Sequence, residues 1–222
     1  MSRAPEPGRT KSRLAAAIGH DAAARLAGAM LRDAAAIVRA ASGWHPALFV
    51  EPARAVQALA TLTGIEDARA QGRGNIGQRM LAAFEALAHD GFGPIAVVGT
   101  DIPMLTADHL AAAHEALREG DVVFGPAADG GYYLVAMWEP EPALFEDATI
   151  DWGGTRVLAS SEHTALARGL RVARLPMERD IDTVEDLAWL SARLAALAER
   201  GEPVPPHTAE VLRWLPAGQW AK

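Results

Sequence analysis

Two kinds of hydrophobic pattern alternate along the chain. In residues 21–41 and 74–89, apolar side chains recur every three or four positions, which predicts helices with one buried face. Short runs rich in β-branched residues lie between such segments and predict buried strands. These runs are residues 47–52, 95–101, 121–126, 131–137 and 170–176. Strands that alternate with helices predict an α/β protein whose mostly parallel sheet is covered by helices on both faces.

Polar residues mark where further helices begin. Thr106 is placed to cap one helix. Thr183, followed three residues later by Asp186, resembles a capping box, and the leucines after it form one apolar stripe. That stripe comprises Leu187, Leu190, Leu194 and Leu197. Residues 142–145 and 152–167 are also predicted to be helical.

The chain divides into one large unit and a short tail. Residues 1–200 hold all the predicted strands and are long enough for one α/β domain. From Gly201 onwards the chain is proline-rich and then briefly helical. We expect residues 201–222 to pack on the domain as an appendage rather than to fold alone.

The composition narrows the class of protein. Half of the 222 residues are apolar, which is enough for a sizeable core, and the net charge of −7 argues against nucleic-acid binding. The chain has no cysteine, so disulfides and thiolate zinc sites are excluded. No apolar run approaches the roughly 18 residues of a membrane span, and the N-terminus lacks the apolar stretch of a secretory signal. We therefore expect a cytoplasmic protein that binds neither membranes nor nucleic acid.

The segment APEPGRTKSRL, residues 4–14, carries a glycine and three cations. Gly8 lets a ligand come close to the backbone, and Arg9, Lys11 and Arg13 occupy alternate positions. Alternate side chains of an extended loop point the same way, so these cations can converge on phosphate groups. The segment is not a Walker P-loop, and a solvated basic N-terminal segment is the alternative interpretation.

A second glycine-rich segment, QGRGNIG at residues 71–77, comes directly before a predicted helix. Closely spaced glycines would let a flat ligand lie against the backbone there. An ordinary glycine-containing turn explains the same residues, because loops use glycine freely.

Acidic residues follow predicted elements at the edge of the sheet where such folds bind ligands. Asp101 ends the strand at residues 95–101, and Asp180 and Asp182 lie two residues apart in ERDIDTVEDL. In an extended segment, side chains two residues apart project to the same side, about 6–7 Å from one another. Carboxylates in this arrangement are suited to Mg²⁺ or Mn²⁺. A helix cap or a polar turn is the alternative for each of these residues.

The stretch GPAADGGYYLVAM, residues 125–137, places Asp129, Gly130 and Gly131 directly before an apolar strand. Two interpretations fit this pattern. The glycines could let a substrate approach the strand end, where Asp129 would offer a carboxylate to a metal or to an acceptor hydroxyl. A tight turn with an Asx-type hydrogen bond explains the same residues.

Six motifs occur in the order RAPEPGRTKSRL, QGRGNIGQRM, GTDIPML, GPAADGGYYLVAM, TIDWGGTRVL and DIDTVEDL. Together they resemble a bacterial family of GT-A-like, glycosyltransferase-related proteins that was formerly a domain of unknown function. That family is related to the 2-phospholactate guanylyltransferases and the molybdenum-cofactor guanylyltransferases. The resemblance covers residues 3 to about 190 and implies a GT-A-type, nucleotide-diphospho-sugar transferase-like sheet.

The resemblance also implies a role for each motif. The residues that it assigns to the nucleotide phosphates are Gly8, Arg9, Lys11 and Arg13, and those that it assigns to the base are Gln71, Gly72 and Gly74. The metal ligands would be Asp101, Asp180 and Asp182, and Asp129, Gly130 and Gly131 would line the acceptor side. Catalysis would fall to Lys11, Asp101 and Asp129. Trp152 also lies in a matching motif, either as a core residue or as a stacking surface for the acceptor.

These expectations combine into a metal-dependent transferase that uses a nucleotide or nucleotide-sugar donor and a small-molecule acceptor. Glycosyl transfer is the first interpretation. The alternatives are a guanylyltransferase-like nucleotidyltransferase, which would release pyrophosphate, and a non-catalytic nucleotide-binding module. A homodimer is also an open alternative to a monomer.

The start of the chain raises a question about the sheet. Only Met1-Ser2-Arg3 precede the basic loop, whereas a central strand normally leads into such a loop. A buried strand of about five apolar residues would contribute on the order of 8–15 kcal/mol. We expect either that the natural chain starts upstream, or that another segment fills the gap. In the second case residues 1–5 would lie at a sheet edge, or a groove would be filled by the tail near residues 212–220 or by a second chain.

Overall fold

The computed structural model describes residues 1–215 and confirms the predicted α/β class. The strands are β1 (Ser2–Arg3), β2 (Ala47–Glu51), β3 (Asp67–Ala70), β4 (Ile95–Val98), β5 (Val122–Pro126), β6 (Tyr132–Met137) and β7 (Val172–Arg174). The helices are α1 (Ser12–Ile18), α2 (His20–Ala40), α3 (Val56–Thr63), α4 (Ile76–His89), α5 (Ala107–Ala116), α6 (Ala143–Glu146), α7 (Val157–Ala167), α8 (Val184–Glu199) and α9 (Pro206–Trp214). A 3₁₀ turn, Ala53–Ala55, precedes α3.

The strands form two sheets. In the first, β1, β2 and β3 pair in that order and are parallel, with Ser2 opposite Val50 and Ala47 opposite Asp67. The second sheet has the order β4-β6-β5-β7, in which β6 runs antiparallel to both of its neighbours and β5 is parallel to β7. Since β6 begins just after Gly131, the Asp-Gly-Gly segment is the point where the chain reverses direction.

All five predicted strands form, but the pattern of apolar residues does not predict every element. β3 has the sequence DARA, which contains no apolar run, and it forms as an edge strand paired to β2. The expectation of an extended loop over residues 4–14 is wrong beyond Lys11, because α1 begins at Ser12. α7 begins at Val157 rather than at residue 152, because a loop that contains Gly153 and Gly154 precedes it.

Side-chain caps position α8 and α9. The Thr183 hydroxyl accepts the backbone N–H of Asp186 at 3.2 Å, and Asp186 Oδ2 accepts that of Thr183 at 2.9 Å, which confirms the predicted capping box. The leucine stripe of α8 is buried, as predicted. Asp33 of α2 is itself buried and accepts the backbone N–H groups of His207 and Thr208 at 3.1 and 2.8 Å. A carboxylate of the domain thus caps the tail helix and fixes it on α2.

The described part of the tail lies on the domain. Leu212 and Leu215 pack with Leu14 of α1 and with the leucines of α8. Residues 216–222, the remainder of the expected appendage, lie outside the described residues. No helix within residues 1–215 is long and apolar enough to cross a membrane.

The two sheets approach each other at Met1. Its amino group donates a hydrogen bond to the Val98 carbonyl at 2.8 Å, which connects the start of β1 to the end of β4. Behind this contact, between β2 and β4, lies an apolar cavity of about 210 Å³. Helix α2 lines it with Leu31, Ala34 and Ala35, and α4 lines it with Ala83 and Leu87.

The cavity answers part of the question raised by the short N-terminus. Ser2 and Arg3 pair with β2, on the side of β2 that faces β4, and an interior groove is present. The described part of the tail does not fill this groove, because Leu212 and Leu215 pack elsewhere. Residues 216–220 of the expected filler lie outside the described residues.

Candidate active site

A pocket of about 330 Å³ opens where β1 and β4 end. The loop between β1 and α1, the segment 97–101, the start of α4 and the first two residues of β6 form its wall. Ligands of α/β sheets bind at the carboxyl ends of the strands, so this is the edge at which a site is expected. Lys11 and Asp101, both predicted site residues, line the pocket.

The loop between β1 and α1 is closed by its own hydrogen bonds. Ala4 N–H donates to the Glu51 carbonyl at 2.7 Å, which carries the chain one step past β1. The buried Thr10 hydroxyl donates to the Ala4 carbonyl at 3.0 Å and accepts the N–H of Glu6 at 3.1 Å. The loop therefore returns on itself and delivers Lys11 to the pocket, with Lys11 in the left-handed conformation at φ 50°.

The three cations of the loop do not converge. Only the Lys11 side chain turns inwards, where it is 9% exposed. Arg9 is exposed and lies 3.8 Å from Glu6, and Arg13 is exposed in the first turn of α1. Gly8 lies in an exposed turn at the tip of the loop. Of the three cations predicted to bind phosphate, one is thus buried and two are exposed.

Lys11 forms an ion pair with two of the predicted acidic residues. Its Nζ lies 2.9 Å from Asp101 Oδ2 and 2.5 Å from Asp182 Oδ1. Burial alone would lower the pKa of Lys11, but the two carboxylates outweigh it and raise that pKa. Burial alone would raise the pKa of Asp101, and the Lys11 ammonium outweighs it and lowers that pKa. Lys11 and Asp101 are therefore both charged at neutral pH in this arrangement.

A backbone contact brings the second acidic segment to the first. Ile181 is fully buried, and its N–H donates to the Asp101 carbonyl at 3.2 Å. Its neighbours Asp180 and Asp182 therefore flank the backbone of Asp101, just beyond the end of β4. Burial, together with the charges of Asp129 and Asp101, raises the pKa of Asp180 to about 6. Asp180 is thus close enough to the other carboxylates to be repelled by them.

The donor atoms fit a hard divalent cation, although the side chains are not arranged around one. Carboxylate oxygens are the ligands that Mg²⁺ and Mn²⁺ prefer, and an ammonium already occupies the cation position between Asp101 and Asp182. Within residues 1–215 no three acidic or histidine side chains converge as a metal-ligand group. Lys11 lies between two of the three expected ligands, Asp101 and Asp182.

The Asp129-Gly130-Gly131 segment is an Asx turn. Asp129 Oδ1 accepts the backbone N–H of Gly131 at 2.8 Å, so the turn interpretation of this segment is correct. Gly130 has φ 93°, and a Cβ atom there would lie 1.9 Å from the Thr155 carbonyl oxygen. Its own carbonyl accepts the N–H of Leu158 at 3.0 Å. A side chain at Gly130 is therefore excluded by both the backbone conformation and the neighbouring loop.

The expected base-binding residues point in different directions. Gln71 Nε2 donates to the carbonyls of Ser2 and Phe49 at 2.9 and 3.1 Å, so this amide joins β1 to β2. Gly72 packs against α4, with Ala82 within 2.9 Å of a Cβ placed on it. Gly74 borders a separate shallow depression on the other side of α4. The pocket and the glycine-rich segment thus share only the start of α4.

Sequence reasoning overlooks several residues of the pocket wall, namely Thr10, Ile76, Met80, Tyr132 and Tyr133. The apolar spacing of Ile76 and Met80 does not distinguish them from core residues, although the structure leaves Ile76 45% exposed. Trp152 is a packing residue. Its indole lies against Gly77, where a Cβ would come within 2.3 Å of it, and it stacks with Phe145.

Residues 34–154 match the family described as "Uncharacterized protein conserved in bacteria (DUF2064)". The chain belongs to this family. No match to a curated protein was found. The resemblance inferred from the six motifs is confirmed, and the matched residues include the segments of Asp101 and Asp129.

Solved structures support the GT-A-type fold. A protein from Desulfovibrio desulfuricans G20, described as a "putative nucleotide-diphospho-sugar transferase", is 27% identical with a TM-score of 0.82, over 96% of this chain and 94% of the other. A 4-diphosphocytidyl-2C-methyl-D-erythritol synthase from Anaerococcus prevotii is 13% identical with a TM-score of 0.53, over 75% and 86% of the two chains. A cytidylyltransferase from Leptospira borgpetersenii is 16% identical with a TM-score of 0.51, over 89% and 86%. The last two likenesses show the fold alone.

Proposed function

We propose that this protein is a metal-dependent transferase that takes a nucleotide-activated donor and a small-molecule acceptor. The observation that carries the proposal is the buried Lys11 ammonium between Asp101 and Asp182, in a pocket at the carboxyl end of β4. Opposite charges held together at this edge of the sheet are suited to a phosphate ester and its counter-cation. The name of the Desulfovibrio relative supports a nucleotide-sugar as the donor.

Each polar residue then has a role. Asp101, Asp180 and Asp182 would hold Mg²⁺ or Mn²⁺, which supplies positive charge to the donor phosphates. Lys11 would neutralise the charge that develops on the leaving phosphate. Arg9 and Arg13 are exposed and would reach the phosphates from outside, with Gly8 in the turn between Glu6 and Arg9.

The acceptor side would be formed by the Asx turn. Asp129 is exposed, and it lies close enough to Asp180 to raise that residue's pKa. One of its carboxylate oxygens accepts the Gly131 N–H, and the carboxylate would also accept the proton of an acceptor hydroxyl. Gly130 and Gly131 would let the acceptor approach this strand end. For the base, Gln71, Gly72 and Gly74 remain our proposed binding residues.

Two reactions fit these roles. In glycosyl transfer, the acceptor oxygen attacks the anomeric carbon, the bond from that carbon to the phosphate oxygen breaks, and a nucleoside diphosphate leaves. In nucleotidyl transfer, the acceptor oxygen attacks the α-phosphorus of a nucleoside triphosphate, and pyrophosphate leaves. In both, the acceptor proton passes to a base such as Asp129. We place glycosyl transfer first, and the outer cations Arg9 and Arg13 favour the triphosphate alternative.

Identifying the leaving group tests the proposal. The protein is incubated with Mn²⁺, a panel of small hydroxyl and phosphate acceptors, and either nucleotide-sugars or nucleoside triphosphates. Nucleoside diphosphate formed from a nucleotide-sugar supports glycosyl transfer, whereas pyrophosphate formed from a triphosphate supports nucleotidyl transfer. Product formation must depend on the acceptor and on Mn²⁺. Nucleotide binding without either product, across the whole panel, would favour the non-catalytic module.

A further inference from the structure

The Lys11 ammonium occupies the position that a divalent cation would take between Asp101 and Asp182. Nζ contacts one oxygen of each carboxylate, at 2.9 and 2.5 Å. The exposure of the three groups is unequal, since the Lys11 side chain is 9% exposed and those of Asp101 and Asp182 are 41% and 39% exposed. The cation is thus more deeply buried than the two carboxylates that it joins.

The geometry allows the ammonium to leave without unfolding the loop. The backbone at Lys11 is fixed on one side by the Thr10 hydrogen bonds to Ala4 and Glu6, and on the other by the first turn of α1. Lys11 itself has a flexible four-carbon stem, so rotation of its side-chain bonds moves Nζ by several ångströms. Pairing with phosphate instead of carboxylate requires only this rotation.

The charge of the pocket also favours exchange. The Lys11 ammonium faces two carboxylates, those of Asp101 and Asp182. A single ammonium leaves this pair of carboxylates with one uncompensated negative charge. A divalent cation would compensate more of that charge than Lys11 does, and a donor phosphate would in turn attract the released ammonium.

We infer that Lys11 is an exchangeable counter-cation, which holds Asp101 and Asp182 together until a divalent cation displaces it and frees it for the donor phosphates. This rests on the proposed function. It assigns Lys11 a positioning role towards the metal in addition to its role towards the donor. Metal and donor would then bind with positive coupling. The metal frees Lys11 for the donor phosphates, and the phosphates draw Lys11 away from the carboxylates that bind the metal.

Mn²⁺ binding in the absence of any nucleotide tests the exchange. Lys11→Met is compared with the wild type and with Arg25→Met, which removes the same charge from an exposed position on α2. We expect Lys11→Met to bind Mn²⁺ about tenfold more tightly than the wild type, and Arg25→Met to bind it with nearly unchanged affinity. Equal or weaker Mn²⁺ binding by a folded Lys11→Met protein would overturn the inference.

A second measurement uses the wild-type chain and so does not depend on the stability of a variant. The sequence contains two lysines, Lys11 and Lys222, so amine acetylation followed by peptide mass spectrometry reports on Lys11 directly. We expect Mn²⁺ to accelerate acetylation of Lys11 relative to Lys222. An unchanged or slower rate at saturating Mn²⁺ would show that the ammonium is not displaced.

The two proposals fail in different ways. If Mn²⁺ releases Lys11 but neither leaving group forms in the transferase assay, the proposed function is wrong and the exchange stands. If transfer occurs and depends on Mn²⁺, while Lys11 neither hinders Mn²⁺ binding nor gains reactivity, the exchange is wrong and the proposed function stands.

Discussion

Two cavities meet at Met1, and they differ in the charged side chains that line them. The one behind Met1, between β2 and β4, is about 210 Å³ and is lined by side chains such as Leu48 and Ala96. The one in front, beyond the strand ends, is about 330 Å³ and contains Lys11 and Asp101. Both use residues 97–100 as part of their wall. The charged side chains Lys11 and Asp101 therefore lie only in the pocket beyond the end of β4.

The difference follows from which surfaces cover each cavity. Along β4, Ala96 packs towards the core beneath α2, while Ile95 and Val97 pack towards the core beneath α4. Polar side chains there would lose water without gaining partners. Beyond Val98, the carboxylates of Asp101 and Asp182 are partly exposed to solvent and pair with Lys11. Apolar side-chain packing therefore forms the cavity behind Met1, whereas the pocket in front of Met1, called the polar pocket below, contains paired charges.

Removing a charge from the polar pocket should have the largest effect on binding. We expect Asp101→Asn to weaken Mn²⁺-dependent nucleotide binding by about a hundredfold, because it removes a proposed metal ligand. The loss of folding stability should be small, about 1 kcal/mol, because the side chain is 41% exposed and solvent screens its ion pair. Isothermal titration with Mn²⁺ and a nucleotide, together with a melting curve, measures both.

The matched control is Asp108→Asn, which removes an equal charge from the exposed first turn of α5. It should leave Mn²⁺-dependent binding unchanged. Unchanged Mn²⁺-dependent affinity in a folded Asp101→Asn protein would instead refute the metal assignment.

Filling the apolar cavity should affect stability rather than binding. Continuing the β1 register backwards places residues before Met1 beside Leu48 and Ala47. We expect the addition of Val-Leu-Val before Met1 to bury new apolar surface at about 1.5–3 kcal/mol per side chain. Ordering the added residues would cost about 1–2 kcal/mol each. The net gain should be on the order of 1–3 kcal/mol, or several degrees in Tm.

The comparison protein carries Gly-Ser-Gly at the same place, which adds equal length but no apolar side chains. Its Tm should stay within about a degree of that of the unextended protein. If both extensions change the Tm equally, the cavity does not accept a strand. Nucleotide binding should be similar in all three proteins, since the added residues point away from Lys11.

The sequence predicts the parts of both regions that depend on local pattern. Asp101 and Asp182 are found because a carboxylate follows an apolar strand or precedes a capped helix, and the structure joins both to Lys11. The inward turn of Lys11 depends on its left-handed backbone and on closure of the loop by Thr10. Neither property has a signature in the spacing of charges, so the sequence predicts three convergent cations where the structure has one.

Apolar pocket residues are equally hard to find from sequence. Met80 lines the pocket but has the same helical spacing as the core residue Phe84. Strand β3 is missed because its pairing to β2, rather than its own side chains, makes it a strand. The helix predicted from residue 152 starts later, at Val157, because Gly153 and Gly154 disfavour a helix and Trp152 packs on Gly77.

The smallest expected effect concerns how pH acts on the polar pocket alone. The pKa of Asp180 is raised to about 6 in the folded protein, above the ordinary value of 3.8. Below about pH 4 the group is protonated in both the folded and the unfolded chain. Between about pH 4 and 6 the folded protein keeps this proton while the unfolded chain loses it, so stability falls as the pH rises. Above that range the ionised Asp180 destabilises the fold.

Asp180→Asn should remove this loss. We expect the stability advantage of the variant over the wild type to grow from near zero at pH 4 to on the order of 1–2 kcal/mol at pH 7. This is less than the full linkage value because Asp180 is only half buried. Chemical denaturation at several pH values measures the difference. Asp101→Asn is the control with the opposite sign, since the pKa of Asp101 is lowered and its contribution is lost mainly as the pH falls below about 4. A stability difference between Asp180→Asn and the wild type that stays constant from pH 4 to 7 would mean that neither burial nor the neighbouring carboxylates raise the pKa of Asp180.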